Sequence, residues 1–242
     1  MAVKQYTTEE LLERWEDIHA IENLMGRRAF FKLLVRDQKV FEEMWSKNDP
    51  CFGINDGYYK GYEAVAGYFQ GLRDLAIHRA EFAKMYYREE LGSRNVDDII
   101  GVGALHVNNL TTPVIELAGD RRTAKGIWYV MDGEVDFGVT GWETCMSWGR
   151  LGVDFIKEED GWKIWHMVYA EDINTPMGVS WAEPCPQAEP HPFFGMLAGV
   201  KIPEPSVKVK IHELWHEKRP LKPFPPVPEP YETFDETFSY GV

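Results

Sequence analysis

The sequence is poor in cysteine, in positive charge and in long apolar runs, and each shortage excludes a class of protein. Its 242 residues include only three cysteines, Cys51, Cys145 and Cys185, which lie far apart without CxxC or Cys/His metal spacing. We therefore expect reduced thiols, as in a cytoplasmic protein. The 26 basic residues face 39 acidic ones, a net charge of −13. Such a charge disfavours nucleic acid and anionic membrane surfaces as partners.

Two further absences concern membranes and export. No apolar run reaches the roughly 18–20 residues that a membrane-spanning helix needs. The first residues, Met-Ala-Val-Lys-Gln-Tyr, lack the apolar core of a signal peptide. We therefore expect a cytoplasmic protein without a membrane partner.

Proline is scarce up to residue 175 and frequent after it, where 13 of the 15 prolines lie. Because proline fits neither central strands nor helix interiors, we predict one domain over residues 1–175 and an extended arm over 176–242. Disordered tails are poor in aromatic residues. This arm contains Trp181, Phe193, Phe194, Trp215, Tyr231, Phe234, Phe238 and Tyr240. We expect it to pack on its own domain or on a neighbouring subunit.

The first part of the chain has helical patterns and the second part has strand patterns. Thr7 and Glu10 form a capping box before apolar residues at helical spacing, and further helical patterns cover about 38–46 and 62–91. Strands are predicted at 104–117, 123–131, 141–155 and 162–170. Helices followed by a strand meander predict an α+β fold, with helices packed on one face of a curved antiparallel sheet.

A histidine and an amide interrupt the apolar pattern of the first long strand. Because side chains alternate along a strand, His106, Asn108 and Leu110 share one face. Two interpretations stay open for His106: a polar group in a binding site, or a core histidine whose hydrogen bonds are satisfied.

The order of these segments resembles the SnoaL-like polyketide cyclases and their relatives in the nuclear-transport-factor-2-like superfamily, which includes scytalone dehydratase and ketosteroid isomerase. The resemblance covers about residues 9–175. It implies a cone-shaped α+β barrel with an apolar pocket at its mouth. The matching pieces are Ala20-Ile21 with Leu24 and Arg27, Tyr59-Lys-Gly-Tyr-Glu-Ala-Val, Asn109-Leu-Thr-Thr-Pro-Val-Ile-Glu-Leu-Ala-Gly-Asp, and Asp160-Gly-Trp-Lys-Ile-Trp-His with Asp172.

The chain departs from this family at the pocket. The enzymes place a tyrosine and an aspartate from the first helix there, and a histidine from the strand that begins the Pro-Val-Ile-Glu segment. The corresponding helix positions hold Arg28 and Leu33 or Leu34. The histidine position holds Asn108, with His106 two residues earlier on the same face.

The resemblance and the strand alternation together imply an acid–base site. His166 shares a face with the inward Trp162 and Ile164 of the pattern and should point inward as well. We expect His106 to act as base, His166 as acid or orienting group, and Asn108 and Tyr59 as hydrogen-bond donors. Arg28 and Trp128 are expected to bind substrate.

Structural roles remain open for these residues. His166 could bond a backbone carbonyl, Arg28 could pair with a carboxylate, and Tyr59 and Trp128 could be core aromatics. Imidazoles titrate near neutrality, so the site needs no metal or cofactor. No carboxylate or cysteine at suitable spacing supports a zinc site built on the two histidines.

These observations predict a cofactor-independent lyase that acts on a bulky apolar or aromatic small molecule. We expect a dehydratase, or else a cyclase or isomerase. Two alternatives remain: a non-catalytic ligand-binding or assembly protein of the same fold, and the small subunit of an aromatic-ring oxygenase. Since relatives of this fold commonly associate through the sheet, the resemblance also implies a homo-oligomer, either a dimer or a trimer.

Overall fold

The computed structural model describes residues 6–138, 141–178, 180, 200 and 202–242, and the side chains of all of these except 137, 138 and 141–143. Cys185 and the arm residues Trp181, Phe193 and Phe194 lie outside the described residues. Cys51 and Cys145 are buried thiols. Among the described helices, none is long and apolar enough to cross a membrane.

Four α-helices lie within the described residues 6–104, before the long strands. The first begins after the predicted capping box, because Thr7 Oγ1 accepts the backbone N–H of Glu10 at 3.2 Å and Glu10 Oε2 accepts that of Thr7 at 2.7 Å. The helices are α1 (Thr8–Leu33), α2 (Asp37–Met44), α3 (Tyr62–Tyr86) and the short α4 (Arg88–Leu91).

In the part of the chain that the structure describes, seven strands form one mixed sheet in the order β3-β4-β5-β6-β1-β2-β7. All neighbours are antiparallel except β1 and β6, which run parallel. The strands are β1 (Cys51–Ile54), β2 (Gly57–Lys60), β3 (Leu105–Leu117), β4 (Thr123–Gly138), β5 (Gly141–Glu158), β6 (Gly161–Pro176) and β7 (Val207–Lys208). The predicted curved α+β architecture is confirmed, but the sheet is mixed and does not close into a barrel. Strands β4, β5 and β6 extend beyond the C-terminal ends predicted for them from the sequence.

The hydrophobic core lies between the inner face of the sheet and the helices. It continues along one stripe of α1, where Ile21 and Met25 are buried. Aromatic rings fill its centre, and Trp45 packs against Phe52 and Phe69 at ring distances of 6.3 and 5.7 Å. This packing fixes α1 and α3 over the sheet.

Two irregularities in β6 change which side chains face inward. Phe155 pairs with Ile164 but Asp154 pairs with His166, so Trp165 is an extra residue. Such a bulge reverses the alternation from that point on. The expectation that His166 points inward with Ile164 is therefore wrong: Met167 takes the inner face and His166 the outer one.

The described end of the arm packs on the outer face of its own sheet. We call residues 231–242 the C-terminal tail. The tail covers a buried polar cluster in which Lys125 Nζ bonds Asp154 Oδ1 at 2.6 Å and His166 Nδ1 lies 3.0 Å from Asp154 Oδ2. The backbone N–H of Tyr240 donates to Asp154 Oδ2 at 2.8 Å. His166 is thus part of the contact between sheet and tail.

Candidate active site

A cavity of about 920 Å³ lies between the inner face of the sheet, α1 and α3. One part of its wall is apolar, and it includes Phe52, Ile54, Phe69, Leu72, Leu75, Leu151 and Met167. The other part is polar and charged. Residues 210–219 of the arm are called the strap, and most of them border the same cavity.

The buried face of helix α1 changes from apolar to positively charged where the helix reaches the cavity. Its buried stripe runs through Ile21 and Met25 and continues, at spacings of three and four residues, to Arg28 and Lys32. The helix face that fills the core at one end therefore presents two cations at the other. Arg28 lines the cavity, where the sequence predicted it.

Strand β4 supplies three carboxylates to the same space. Asp132, Glu134 and Asp136 alternate along the strand and all line the cavity. The sequence prediction missed them because it ended this strand at about Met131. The signal was present: the acidic residues recur with period two directly after the apolar Trp128 and Val130.

His106 lies beside these carboxylates, on the face of β3 that the sequence predicted. Its Nε2 is 3.0 Å from Asp136 Oδ1, and Arg79 Nη1 donates to Asp136 Oδ2 at 2.6 Å. No described residue bonds the second ring nitrogen, Nδ1, and the ring lines the cavity. Burial alone would lower the pKa of His106, but the hydrogen bond and charge of Asp136 outweigh it and raise the pKa.

Lys32 joins two of the carboxylates. Its Nζ lies 3.1 Å from Asp132 Oδ2 and 3.2 Å from Glu134 Oε1. Burial opposes both charged forms, yet the pairing raises the pKa of Lys32 and lowers that of Glu134 to about 2. The pair is therefore charged at neutral pH.

Asn108 is held between a cation and an anion. Arg28 Nη1 donates to Asn108 Oδ1 at 3.1 Å, and Asn108 Nδ2 donates to Asp132 Oδ1. Arg28 and Asn108 both line the cavity, as predicted from the sequence. The amide is therefore oriented on both sides, which makes it a positioned group.

A second polar cluster lies where β5 and β6 reach the cavity. Ser147 Oγ is 2.6 Å from the hydroxyl of Tyr169 and 2.7 Å from Glu171 Oε1. Asn174 Nδ2 donates to Glu171 Oε1 at 3.0 Å. The sequence did not predict this cluster, because the predicted strand ended at residue 170 and two bulges in β6, at Trp165 and Asp172, change which of its side chains face inward.

Three predicted site residues lie elsewhere. Tyr59 is buried, and its hydroxyl donates to the backbone oxygen of Pro203 at 2.8 Å; burial raises its pKa to about 12. Trp128 belongs to the core and packs edge-on against Phe155, with ring centroids 6.2 Å apart. Neither borders the cavity, and His166 lies on the opposite face of the sheet.

One group of cavity residues could hold a metal ion. His106, Glu134 and Asp136 offer ligand atoms that all lie within 4.8 Å of one another. However, Lys32 and Arg79 already neutralise the two carboxylates, which weakens their attraction for a cation. The second histidine of the zinc site considered from the sequence, His166, is absent from this group.

Several solved structures are similar to this chain. A putative scytalone dehydratase from Novosphingobium aromaticivorans has 13% identity and a TM-score of 0.49, covering 73% of this chain and 97% of that one. The hexachlorocyclohexane dehydrochlorinase LinA-type3 from Novosphingobium barchaimii has 16% identity and a TM-score of 0.45, covering 72% and 99%. A nuclear-transport-factor-2-like superfamily protein from Salmonella enterica has 15% identity and a TM-score of 0.43, covering 67% and 96%.

At the level of sequence, no curated protein matches the chain. The model of the SnoaL-like domain, in contrast, matches residues 13–168, which is more than half of the chain. The match begins within α1, includes the cavity strands β1, β3, β4 and β5, and ends in the first half of β6. It confirms the resemblance predicted from the sequence, and the chain belongs to the SnoaL-like domain family.

Proposed function

We propose that the protein is a cofactor-independent lyase that eliminates water from a bulky, uncharged small molecule, with His106 as the base. The observation that carries the proposal is the arrangement of His106. One ring nitrogen is held by Asp136 at 3.0 Å while the other has no described partner and the ring lines the cavity. A positioned imidazole of this kind can remove a proton at neutral pH.

The charges of the cavity favour an uncharged substrate. Two of the helix cations are paired: Lys32 lies beside Asp132 and Glu134, and Arg79 lies beside Asp136. Arg28 donates to the amide of Asn108. An ionic ligand would have to break such a pair, and an unpaired buried charge is costly. The apolar wall suits an aromatic or alicyclic body, while the polar wall suits hydroxyl and carbonyl groups.

The reaction that fits the polar wall of the cavity is elimination of water beside a carbonyl group. His106 Nδ1 would take the proton next to the carbonyl while Asn108, oriented by Arg28 and Asp132, would donate its remaining amide hydrogen to developing oxygen charge. An isomerase or cyclase would need the same first step. We propose elimination rather than isomerisation or cyclisation because the cavity holds several further groups that can exchange protons.

A suitable probe is 3-hydroxy-1-tetralone, a bicyclic β-hydroxy ketone that loses one water to give fluorescent 1-naphthol. We expect enzyme-dependent formation of 1-naphthol, detected by fluorescence and by mass spectrometry, within a wider panel of aromatic diols and hydroxy ketones. His106→Asn should lower the rate by about 100-fold or more, since positioned general bases contribute roughly 10²–10⁴-fold.

The matched control is His19→Asn, which changes an exposed histidine of α1. It should leave the rate unchanged. Binding of the panel without turnover would favour the ligand-carrier alternative and contradict the lyase. Turnover that is lost on chelation and restored by a metal would contradict the metal-free mechanism.

A further inference from the structure

We propose that Glu171 is the second acid–base residue of this cavity and protonates the leaving hydroxyl in the elimination that His106 begins. The inference rests on the proposed function and deepens it. It also fills the role of acid or orienting group that was predicted for His166, which lies on the outer face of the sheet.

The carboxyl group of Glu171 is held at one oxygen and open at the other. Oε1 accepts hydrogen bonds from Ser147 Oγ at 2.7 Å and Asn174 Nδ2 at 3.0 Å. No described residue bonds Oε2, and Glu171 lines the cavity. A carboxyl group with one hydrogen-bonded oxygen and one oxygen facing the cavity can donate its proton to a ligand in a defined direction.

The backbone of Glu171 is also fixed. Asn55, in the turn between β1 and β2, donates to the carbonyl of Glu171 at 3.1 Å and accepts its N–H at 3.0 Å. The carbonyl of Asn55 in turn accepts the N–H of Ile211 at 2.7 Å, in the strap. Glu171 is therefore positioned from β5, from the β1–β2 turn and, through Asn55, from the arm.

The environment keeps a proton available on Glu171. The pKa of Glu171 is raised to about 6 because burial and the charges of Asp132 and Glu134 together outweigh the hydrogen bonds of Ser147 and Asn174, which lower it. An acid whose pKa lies near the working pH exchanges protons most effectively. The other charged or titratable groups on this part of the wall are Tyr169 from β6, Lys32 from α1, Cys145 from β5, and Lys210, His212 and Glu213 from the strap.

Strand register places the proposed base and acid on different strands of the same inner face. Asn108, Asp132, Ser147 and Asn174 are paired in one row across β3, β4, β5 and β6. His106 lies one inward position from this row on β3, and the Glu171 carboxyl contacts the row at Ser147 on β5. Two strand spacings, about 10 Å, separate the backbones of β3 and β5. The C–H and C–O bonds that break lie on adjacent carbons, and with a hydrogen-bond length at either end they span most of such a gap.

The proposed step balances without an added reagent. His106 Nδ1 takes the proton from the carbon beside the carbonyl, and the C–H electron pair forms the new C=C bond. The C–O bond breaks, and the leaving oxygen keeps its electron pair and takes the proton of Glu171, so that water departs. Imidazolium and carboxylate remain, and proton exchange with solvent restores both groups.

The test compares two leaving groups in the Glu171→Gln variant. Glutamine keeps the shape and the Oε1 acceptor but cannot donate an acidic proton. With 3-hydroxy-1-tetralone we expect kcat to fall about 100-fold with a small change in KM. With 3-acetoxy-1-tetralone, whose acetate leaves without protonation, the variant should retain the wild-type rate above the enzyme-free background, while His106→Asn should be impaired with both substrates.

The matched control is Glu159→Gln, an exposed glutamate in the turn between β5 and β6 that does not border the cavity, and it should behave as wild type with both substrates. An equal loss in Glu171→Gln with both leaving groups would show a structural role, and an unchanged rate with the hydroxy ketone would show no role; either result overturns the inference and leaves the lyase intact. If the wild type turns over neither substrate, the proposed function fails and the inference with it.

Discussion

At the scale of single residues, the cavity pairs its charges. Three cations, Arg28, Lys32 and Arg79, enter from the helices and meet polar groups of β3 and β4. Because these groups are withdrawn from water, each hydrogen-bonded partner holds the other in one orientation. The base, His106, takes its orientation and its proton affinity from this arrangement.

The first prediction concerns Asp136→Asn. Removing the carboxylate should lower the pKa of His106, so the low-pH limb of the rate profile should move to lower pH. An imidazole NMR titration of His106 reads the pKa directly. The pKa of His106 in the folded protein is raised above 6.5. The stabilisation of the fold by Asp136 is therefore complete below pH 6.5 and declines as the pH rises through the folded pKa, which is the reverse of the pH dependence of a paired carboxylate.

The control for this experiment is Asp74→Asn on the exposed side of α3. It should move neither the imidazole titration nor the rate profile. An unchanged His106 pKa in Asp136→Asn would mean that Asp136 does not tune the base.

At the scale of elements, β6 decides which polar residues share the cavity. The extra residues at Trp165 and Asp172 each shift the register against β5. Between them Met167, Tyr169 and Glu171 face inward, and after the second shift Asn174 does so. The outer face of the same strand carries His166, against which the tail packs.

The second prediction compares two glycines of neighbouring strands. A Cβ on Gly152 of β5 would lie 2.5 Å from the buried ring of Tyr240 and 3.0 Å from Pro225. A Cβ on Gly133 of β4 would meet nothing within 4 Å. Gly152→Ala should therefore lower the free energy of unfolding by about 1–3 kcal/mol, the usual cost of overpacking, whereas Gly133→Ala should change it little.

Urea unfolding followed by tryptophan fluorescence measures both variants. Limited proteolysis should also cut the tail of Gly152→Ala sooner, because the substitution acts on tail docking. Equal stability of the two variants would contradict the packing of Tyr240 over Gly152.

At the scale of the whole molecule, the arm is part of the fold. The strap borders the cavity, and the tail closes over Lys125, whose Nζ lies 4.4 Å from the ring centre of Phe238 and 4.6 Å from that of Phe234. The side chains of Lys125 and Asp154 are fully buried. A buried ion pair depends on its cover, since water would otherwise compete for both charges.

The third prediction is that deleting residues 231–242 destabilises the protein. The deletion would expose the Lys125–Asp154 pair and remove the aromatic cover of the sheet, at a cost of several kcal/mol by the area that such rings bury. Calorimetry should show a lower melting temperature, whereas Glu236→Gln, an exposed change within the tail, should not. An unchanged melting temperature on deletion would show that the tail is a passive extension.

Light scattering on the same proteins tests the oligomer predicted from the sequence. A dimer or trimer is expected for the full chain. If the deletion lowers the assembled mass as well as the melting temperature, the arm also contributes to contacts between subunits. A monomeric full chain would contradict the predicted homo-oligomer.

Several features follow from the sequence by itself. The capping box at Thr7, the helical spacing in α1 and the alternation around His106 are local patterns, and their physical causes act over a few residues. The sequence therefore predicted the α+β class, the family, and the cavity positions of Arg28, His106 and Asn108. It also contained the period-two carboxylates of β4, which a longer strand assignment would have found.

Other features were decided only by the tertiary structure. Whether β6 holds an extra residue at Trp165 depends on its register against β5, and register reflects the packing of both faces rather than the period of one strand. Because of this register, the side chain of His166 faces outward and that of Glu171 faces inward. The resting place of the tail likewise depends on a buried polar cluster assembled from Lys125, Asp154 and His166, which lie on three different strands and become neighbours only when the sheet forms.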